Sequence, residues 1–422
     1  MATGSLTRFF RTAYRWNAAE PPTVLLLGAL LTIFGLFDVG VVIHNALVMH
    51  TLTPDFLGLW SFGRFALHHD PSLLYDSASL DPFQTELARR PIPHFPYFYP
   101  PTYLLILQPL GHLPYRAAYV VWLACTAAAY CLATRMARQG IGWSVASLAA
   151  PTAMITIVYG QSGFLTSALL VGGLRLLPSR PVLAGVLLGL LTFKPQLGVL
   201  VPVVLLAAGA WRSIAAAILT TLALIGVSSL CFGWSMWTRW IDSMRLAPGL
   251  LMASNRASLF HDMPTVTAGL RMLGAAPVVT YGVQAMVALI VVIFTYACAR
   301  RAAKTMQGSE LTTALVAVGT FLVTPYAFVY DMPMVTSAIL LLVVQRRKDA
   351  GSFNLGEILL ILAALVCPII MHGQSSRAPI TPAILLLLFT SIAWRILRPA
   401  APATIRDETH CPMGDDLAIS AG

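Results

Sequence analysis

Charged side chains are what this chain most lacks. Asp, Glu, Lys and Arg make up 10% of its 422 residues, against about 25% in a soluble globular protein. With 57% hydrophobic residues and a mean hydropathy of +0.76, the chain cannot cover itself with a water-compatible surface. That shortage excludes a DNA-binding protein, a secreted disulfide scaffold and a cytosolic enzyme, and leaves a polytopic membrane protein. Cysteine is scarce as well. Cys125, Cys131, Cys231, Cys298 and Cys367 lie in or beside apolar runs and Cys411 lies in the tail. No CxxC or Cys/His ligand spacing occurs, so no zinc or iron–sulfur centre is expected. Acid is scarcer than base, giving a net charge of +10. The basic residues form short clusters between apolar runs, the pattern of cytoplasmic loops, so no nucleic-acid partner is expected. Tandem repeats and low-complexity tracts are lacking too. No cleavage-site pattern follows the first apolar run, which reads as a retained span.

What the chain has in abundance is apolar runs of spanning length, roughly 17–25 residues each. They fall near 22–46, 115–135, 143–159, 162–177, 181–193, 195–211, 213–233, 277–299, 312–329, 332–345, 356–371 and 379–397. The expectation is an all-α integral membrane protein of about twelve spans. A cytoplasmic N-terminal segment, 1–21, precedes a transmembrane domain over 22–398, and a polar, disordered cytoplasmic tail follows at 399–422. Every inner loop then carries Lys or Arg, which sets both termini on the cytoplasmic side. Two longer outer loops result, at 47–100 and 234–276. PTYLLILQPLGHL, 101–113, is too short to span and is expected at the interface or partway into the membrane. Trp234, Trp237 and Trp240 recur every three residues and predict an amphipathic interfacial helix opening the second loop.

Four features converge on the outer face, the third of them a pair of turns. TPDFLGLW (53–60) places Asp55 just beyond the first span. FPYFYPPTYLLILQPL (95–110) is an aromatic–proline stretch containing Tyr97, Phe98 and Tyr99. YGQSGFL (159–165) and FKPQLG (193–198) are tight turns that put Gln161, Lys194 and Gln196 at membrane depth. TPYAFVYDMP (324–333) brings Tyr326, Tyr330 and Asp331 to the same level.

The order PDF, YPP-apolar-QPL, GQ and KPQ resembles glycosyltransferase family 87, the polyprenol-phosphate-dependent, mannosyltransferase-like group of the GT-C superfamily. The resemblance covers roughly residues 50–345. It implies a GT-C-type helix bundle with periplasmic loops in a bacterial inner membrane. The implied reaction transfers a hexose, mannose by analogy, from a polyprenyl-phosphate donor to a glycolipid or polysaccharide acceptor at the periplasmic face. No further cofactor is implied. By the same resemblance the first-loop aspartate, here Asp55, is the catalytic base. Many members carry a histidine-rich motif in a late outer loop; this chain reads VYDMP there, so no histidine role carries over and Asp331 is the nearest match.

Physical chemistry asks for the same parts. A base must take the acceptor proton, a contribution of about 10²–10⁴-fold, and positive charge must meet the departing phosphate. Asp55 supplies the carboxylate. Lys194 is the only lysine away from the inner face, and an ammonium at that depth, costing of order 3 kcal/mol, calls for a cavity or an anion. Arg256 and His261, in SNRASLFHDMPT (254–265), are candidates to assist from the second loop. No metal site is expected. Each residue also has a plainer reading: Lys194 snorkelling to headgroups, Gln161 bonding a helix end, Asp331 capping the next helix, Tyr99 and its neighbours forming an interfacial aromatic belt. His68, His69 and Asp70 read as a solvated loop. The rival class is a transporter or flippase of lipid-linked sugars, which also favours twelve spans but is commonly built of two similar halves; here the long polar stretch follows only the first span.

Overall fold

The computed structural model describes residues 54–89, 95–135, 142–253, 257–305, 309–348, 353–373 and 380–398, with residues 30, 33, 34 and 40 besides. The expected first span at 22–46, the N-terminal segment, Arg256 and the tail fall wholly or largely outside the described residues.

The described residues are helical, without β-strands. In chain order the longer helices are α1 (Pro54–His68), α2 (Ser77–Ala88), α3 (Pro101–Gly111), α4 (Tyr115–Thr134), α5 (Pro151–Tyr159), α6 (Gly163–Leu176), α7 (Pro181–Leu190), α8 (Leu200–Ala208) and α9 (Trp211–Phe232). They continue as α10 (Ser235–Ala253), α11 (Pro277–Thr305), α12 (Ser309–Val323), α13 (Pro333–Lys348), α14 (Leu355–Gly373) and α15 (Ile380–Leu397). Among the described residues five helices are long and apolar enough to cross a membrane: Tyr115–Thr134, Trp211–Phe232, Pro277–Lys304, Val329–Arg346 and Ile380–Leu397. Further apolar helices, Gly163–Leu176 and Ser309–Val323 among them, are shorter.

Two kinds of apolar helix build the bundle. α12 is buried on every side from Leu311 to Val323, and α6 nearly so. A helix that is apolar all round and enclosed forms the centre of a large assembly. α12 packs on α11, α13 and α15, while α6 packs on α4, α7 and α13. By contrast α9 leaves Leu219, Leu222 and Leu230 exposed. An apolar face of that extent has hydrocarbon, not water, as its solvent.

Several sequence expectations change. The 143–159 run is not one helix: a short helix at Gly142–Ala146 and a 3-10 turn at Ser147–Ala149 precede α5. Pro151 forces the break, because the residue before a proline is driven to extended backbone, and Ala150 has φ −77° and ψ 150°. Proline acts likewise at 195: Pro195–Gly198 is a 3-10 turn and α8 starts only at Leu200. The stretch read as a polar outer loop folds as α1, a 3-10 turn at Pro71–Tyr75, and α2. Phe56, Leu57, Leu59, Phe62 and Phe65 of α1 are buried, and α1 packs against α3, itself mostly buried. His68 is the last residue of α1, and His69 and Asp70 follow it outside the helix, all three exposed as expected, with His69 stacked on Phe65 at 4.5 Å. The periodic tryptophans do open a helix, α10: Trp234 is exposed, Trp237 donates to Ser228 Oγ at 3.2 Å, and Trp240 donates to the Phe98 carbonyl at 3.3 Å.

Candidate active site

Two turns, far apart in sequence, are locked together at the site. α5 ends on Gly160, whose φ of +64° is the left-handed conformation that glycine adopts without a Cβ penalty. The Gly160 and Gln161 N–H groups donate to the Ile157 and Thr156 carbonyls, and Trp122 Nε1 donates to the Gly160 carbonyl at 3.0 Å. Gly163 then meets the Val329–Asp331 turn so closely that an added Cβ would lie 1.7 Å from the Tyr330 carbonyl oxygen. Thr156 Oγ1 donates to that same carbonyl at 2.8 Å. The position of Gln161 is thereby fixed relative to Tyr330 and Asp331.

Gln161 is buried, and its Nε2 donates to Asp55 Oδ2 at 3.2 Å. Its Oε1 has no hydrogen-bond partner among the described residues. Asp55 is half-buried in the first turn of α1, where the helix N-terminus favours a carboxylate. Its pKa is nevertheless pushed up to about 6. Burial is the main cause and the charge of Asp262 adds to it; the Gln161 bond and, less, the Lys194 charge pull the other way.

Lys194 sits at the break that Pro195 imposes, between the 3-10 turns Leu191–Phe193 and Pro195–Gly198. It is 2% exposed and donates to Asp331 Oδ1 at 2.9 Å and Oδ2 at 3.1 Å. Thr166 Oγ1 donates to Asp331 Oδ1 at 3.3 Å, and the ammonium lies 4.8 Å from the centre of the Tyr330 ring. Aromatic rings pack around the cluster. Tyr103 stacks on Phe193 at 4.6 Å and meets Tyr99 at 4.7 Å, while Phe328 stacks on Tyr330 at 5.2 Å. Burial, then the nearby Asp331 and Asp55 charges, drive the Tyr99 phenol well above its usual range, so it stays a neutral O–H group.

The structure therefore brings Asp55, Gln161, Tyr99, Lys194, Tyr330 and Asp331 into one cluster. Asp331 is the last residue of a 3-10 turn, and its carboxylate bonds to Lys194 and Thr166; a plain helix cap is not its role. The Lys194 charge, expected to await an anion, already has one in Asp331. His261 ends the short helix Ala257–His261, and the carbonyl of the next residue, Asp262, accepts the Val329 N–H at 2.8 Å. Gln196 is half-buried in its turn, and its side chain makes no hydrogen bond among the described residues. Arg256 lies outside the described residues. Asp262 was missed. It adjoins the singled-out His261, yet only the folded chain shows that its charge reaches Asp55. Among the described residues no group of three His, Cys, Asp or Glu side chains is placed to hold a metal ion.

A helical membrane protein with a basic carboxylate, a buried lysine and an aromatic wall at one end of its bundle is equipped to bind a charged substrate and move a proton. The chain belongs to glycosyltransferase family 87, whose sequence pattern matches residues 97–325. It is a membrane glycosyltransferase, which decides against the transporter reading. Asp55 and Asp331 flank the matched stretch and are joined to it by Gln161 and Lys194. No curated protein and no solved structure matched the chain.

Proposed function

We propose that the protein transfers a hexose, mannose by the family resemblance, from a polyprenyl-phosphate donor to an acceptor hydroxyl, with Asp55 as general base. The observation that carries this reading is the state of Asp55: a half-buried carboxylate, oriented by a neutral amide and pushed up to about pH 6. Such a group is ionised at neutral pH and still basic enough to accept a proton as attack proceeds. The acceptor oxygen, losing its proton to Asp55, bonds to the anomeric carbon. The bond from that carbon to the phosphate oxygen breaks, its electron pair leaves on the polyprenyl phosphate, and the anomeric configuration inverts.

The leaving phosphate gains negative charge as that bond breaks. In our reading Lys194 serves it, with Asp331 holding the ammonium in place beforehand and sharing it as the phosphate charge develops. Tyr99 supplies a ring for the sugar, Tyr330 braces the ammonium, and His261 closes the site from the second loop. The acceptor is a glycolipid or polysaccharide, and the site faces the periplasm of a bacterial inner membrane with both termini in the cytoplasm. The test is an in vitro assay of the purified full chain with radiolabelled polyprenyl-phosphate hexoses. Asp55→Asn should lower label transfer by about 10²–10⁴-fold while the protein stays folded; full turnover in that variant overturns the base assignment.

A further inference from the structure

A cavity of about 240 Å³ is lined by none of the residues of the Asp55 cluster. It is an open cleft lined by the Pro71–Tyr75 turn, α2, the stretch 96–98 and one face of α10. Its aromatic side is Tyr75, Tyr97 and Phe98, and its polar rim is Arg239, Asp242 and Ser243. The volume is below the roughly 300–1,000 Å³ of pockets for drug-sized ligands, so its occupant is about one ring in size.

The chemistry of the rim selects among small ligands. Arg239 stands near Asp76, whose carboxylate is held below the usual range by bonds from Ser79 and the Ala78 N–H, with a smaller part from Arg239. Asp242 shares the rim and pairs with Arg245 at 3.1 Å on the exposed side of α10. With Arg239 beside Asp76 and Asp242 paired with Arg245, the rim carries no uncompensated positive charge and is a poor seat for a phosphate. Donors and acceptors set around aromatic rings suit a neutral polyhydroxyl compound, whose C–H faces lie on rings while its hydroxyls both give and accept hydrogen bonds. The Asp242–Arg245 pair, being exposed, contributes little and yields readily to such hydroxyls.

The cavity is coupled to the proposed catalytic carboxylate through one stretch of chain. Tyr75 Oη donates to the Tyr99 carbonyl at 2.7 Å. The Tyr97 ring meets Tyr75 at 5.2 Å on one side and Tyr99 at 5.8 Å on the other. Tyr99 is close enough to Asp55 and Gln161 to feel both. Trp240 holds α10 to this stretch through the Phe98 carbonyl.

We propose that this cavity is the acceptor subsite: it seats a neutral sugar ring of the acceptor beside Tyr75, Tyr97 and Phe98, so that a hydroxyl further along is presented past Tyr99 to Asp55. The proposal rests on the transfer reading for the destination of that hydroxyl, but not for the binding itself. It is tested with the full chain in lipid nanodiscs and two probes, methyl α-mannopyranoside and methyl α-glucopyranoside, observed by saturation-transfer NMR. At least one glycoside should bind. Ser243→Trp, which fills the cavity from α10, should weaken that binding by roughly tenfold or more, and Arg239→Ala should weaken it too, whereas Asp55→Asn should leave it intact. In the transfer assay Ser243→Trp should raise the acceptor KM and leave both the donor KM and slow donor hydrolysis without acceptor unchanged. Binding of neither glycoside, binding insensitive to both cavity variants, or a rise in donor KM in place of acceptor KM overturns the subsite. Cavity-dependent glycoside binding in a protein that transfers no label supports the subsite and sinks the transfer reading alone.

Discussion

Asp55 and Asp331 lie near enough to act on the same tyrosines, Tyr99 and Tyr330, yet their surroundings are opposite. Asp331 is 1% exposed, with both oxygens on the Lys194 ammonium and a hydroxyl from Thr166. Asp55 is half-buried and has a neutral amide at 3.2 Å as its partner. A carboxylate with a cation in contact is a poor base, because taking a proton breaks the ion pair. One that is desolvated and held by an amide keeps its affinity for a proton. On the proposed reading the difference separates a residue that fixes geometry from one that does chemistry, within a single cluster.

The strongest way to break this comparison is to neutralise each carboxylate in turn. Asp55→Asn should lower transfer by about 10²–10⁴-fold and leave the thermal unfolding of the purified protein near wild type; an unfolded variant would place Asp55 with Asp331 as a structural group. Removing the cation instead should act on stability. Lys194→Met strands Asp331 in a buried site, a loss of about 3–5 kcal/mol when one partner of a buried pair is removed. The double variant Lys194→Met with Asp331→Leu should recover most of that loss, since buried ion pairs are often no more stable than apolar replacements. It should still transfer poorly if the lysine meets the phosphate. Normal transfer by the double variant would mean that the pair only braces the turn.

How much of this could be read from the sequence depends on the range of the interaction concerned. The run at 115–135 became Tyr115–Thr134, 213–233 became Trp211–Phe232, and 379–397 became Ile380–Leu397, because run length is a local property matched to bilayer thickness. The break at Pro195 was legible as the turn FKPQLG, whereas the proline effect at 151 was present in the sequence but outweighed by the apolar content of the run containing it. The helices at 54–68 and 77–88 were hidden because a stretch with polar residues reads as loop until a partner surface, here α3, is known. Asp55, Gln161, Lys194 and Asp331 stood out singly as polar residues at the ends of apolar runs. Their pairing did not: Lys194 and Asp331 are 137 positions apart, and only the close approach of Gly163 to Tyr330 shows that the two turns share one site. Asp262 had no signal of its own.

The pH dependence sharpens the comparison without a large loss of function. On the proposed reading the ionised form of Asp55 is the active base, and burial pushes its pKa up to about 6. The rate at low substrate should therefore fall on the acid side with a half-point near pH 6, where an ordinary exposed aspartate would give about 3.9. A rate flat from pH 5 to 8 would remove Asp55 from the proton transfer.

The smallest effect expected is also the most specific. The Gln161 amide donates to the charged form of Asp55, so it lowers the pKa that burial raises. Gln161→Leu deletes that donor and leaves the burial. The half-point should move to higher pH, so that transfer at neutral pH drops a few-fold while the rate at high pH, where the carboxylate is ionised in either protein, returns to the wild-type plateau. A uniform loss at every pH would mean that Gln161 contacts the substrate instead of setting the base, and an unmoved half-point would mean that the 3.2 Å bond does not hold in the working enzyme. No corresponding acid-limb shift should follow from Thr166→Val, although Thr166 donates to Asp331 at a similar 3.3 Å, because there the lysine and not the hydroxyl holds the charge. The two amide- and hydroxyl-deleting variants, measured side by side, separate a carboxylate that must gain a proton during turnover from one that must not.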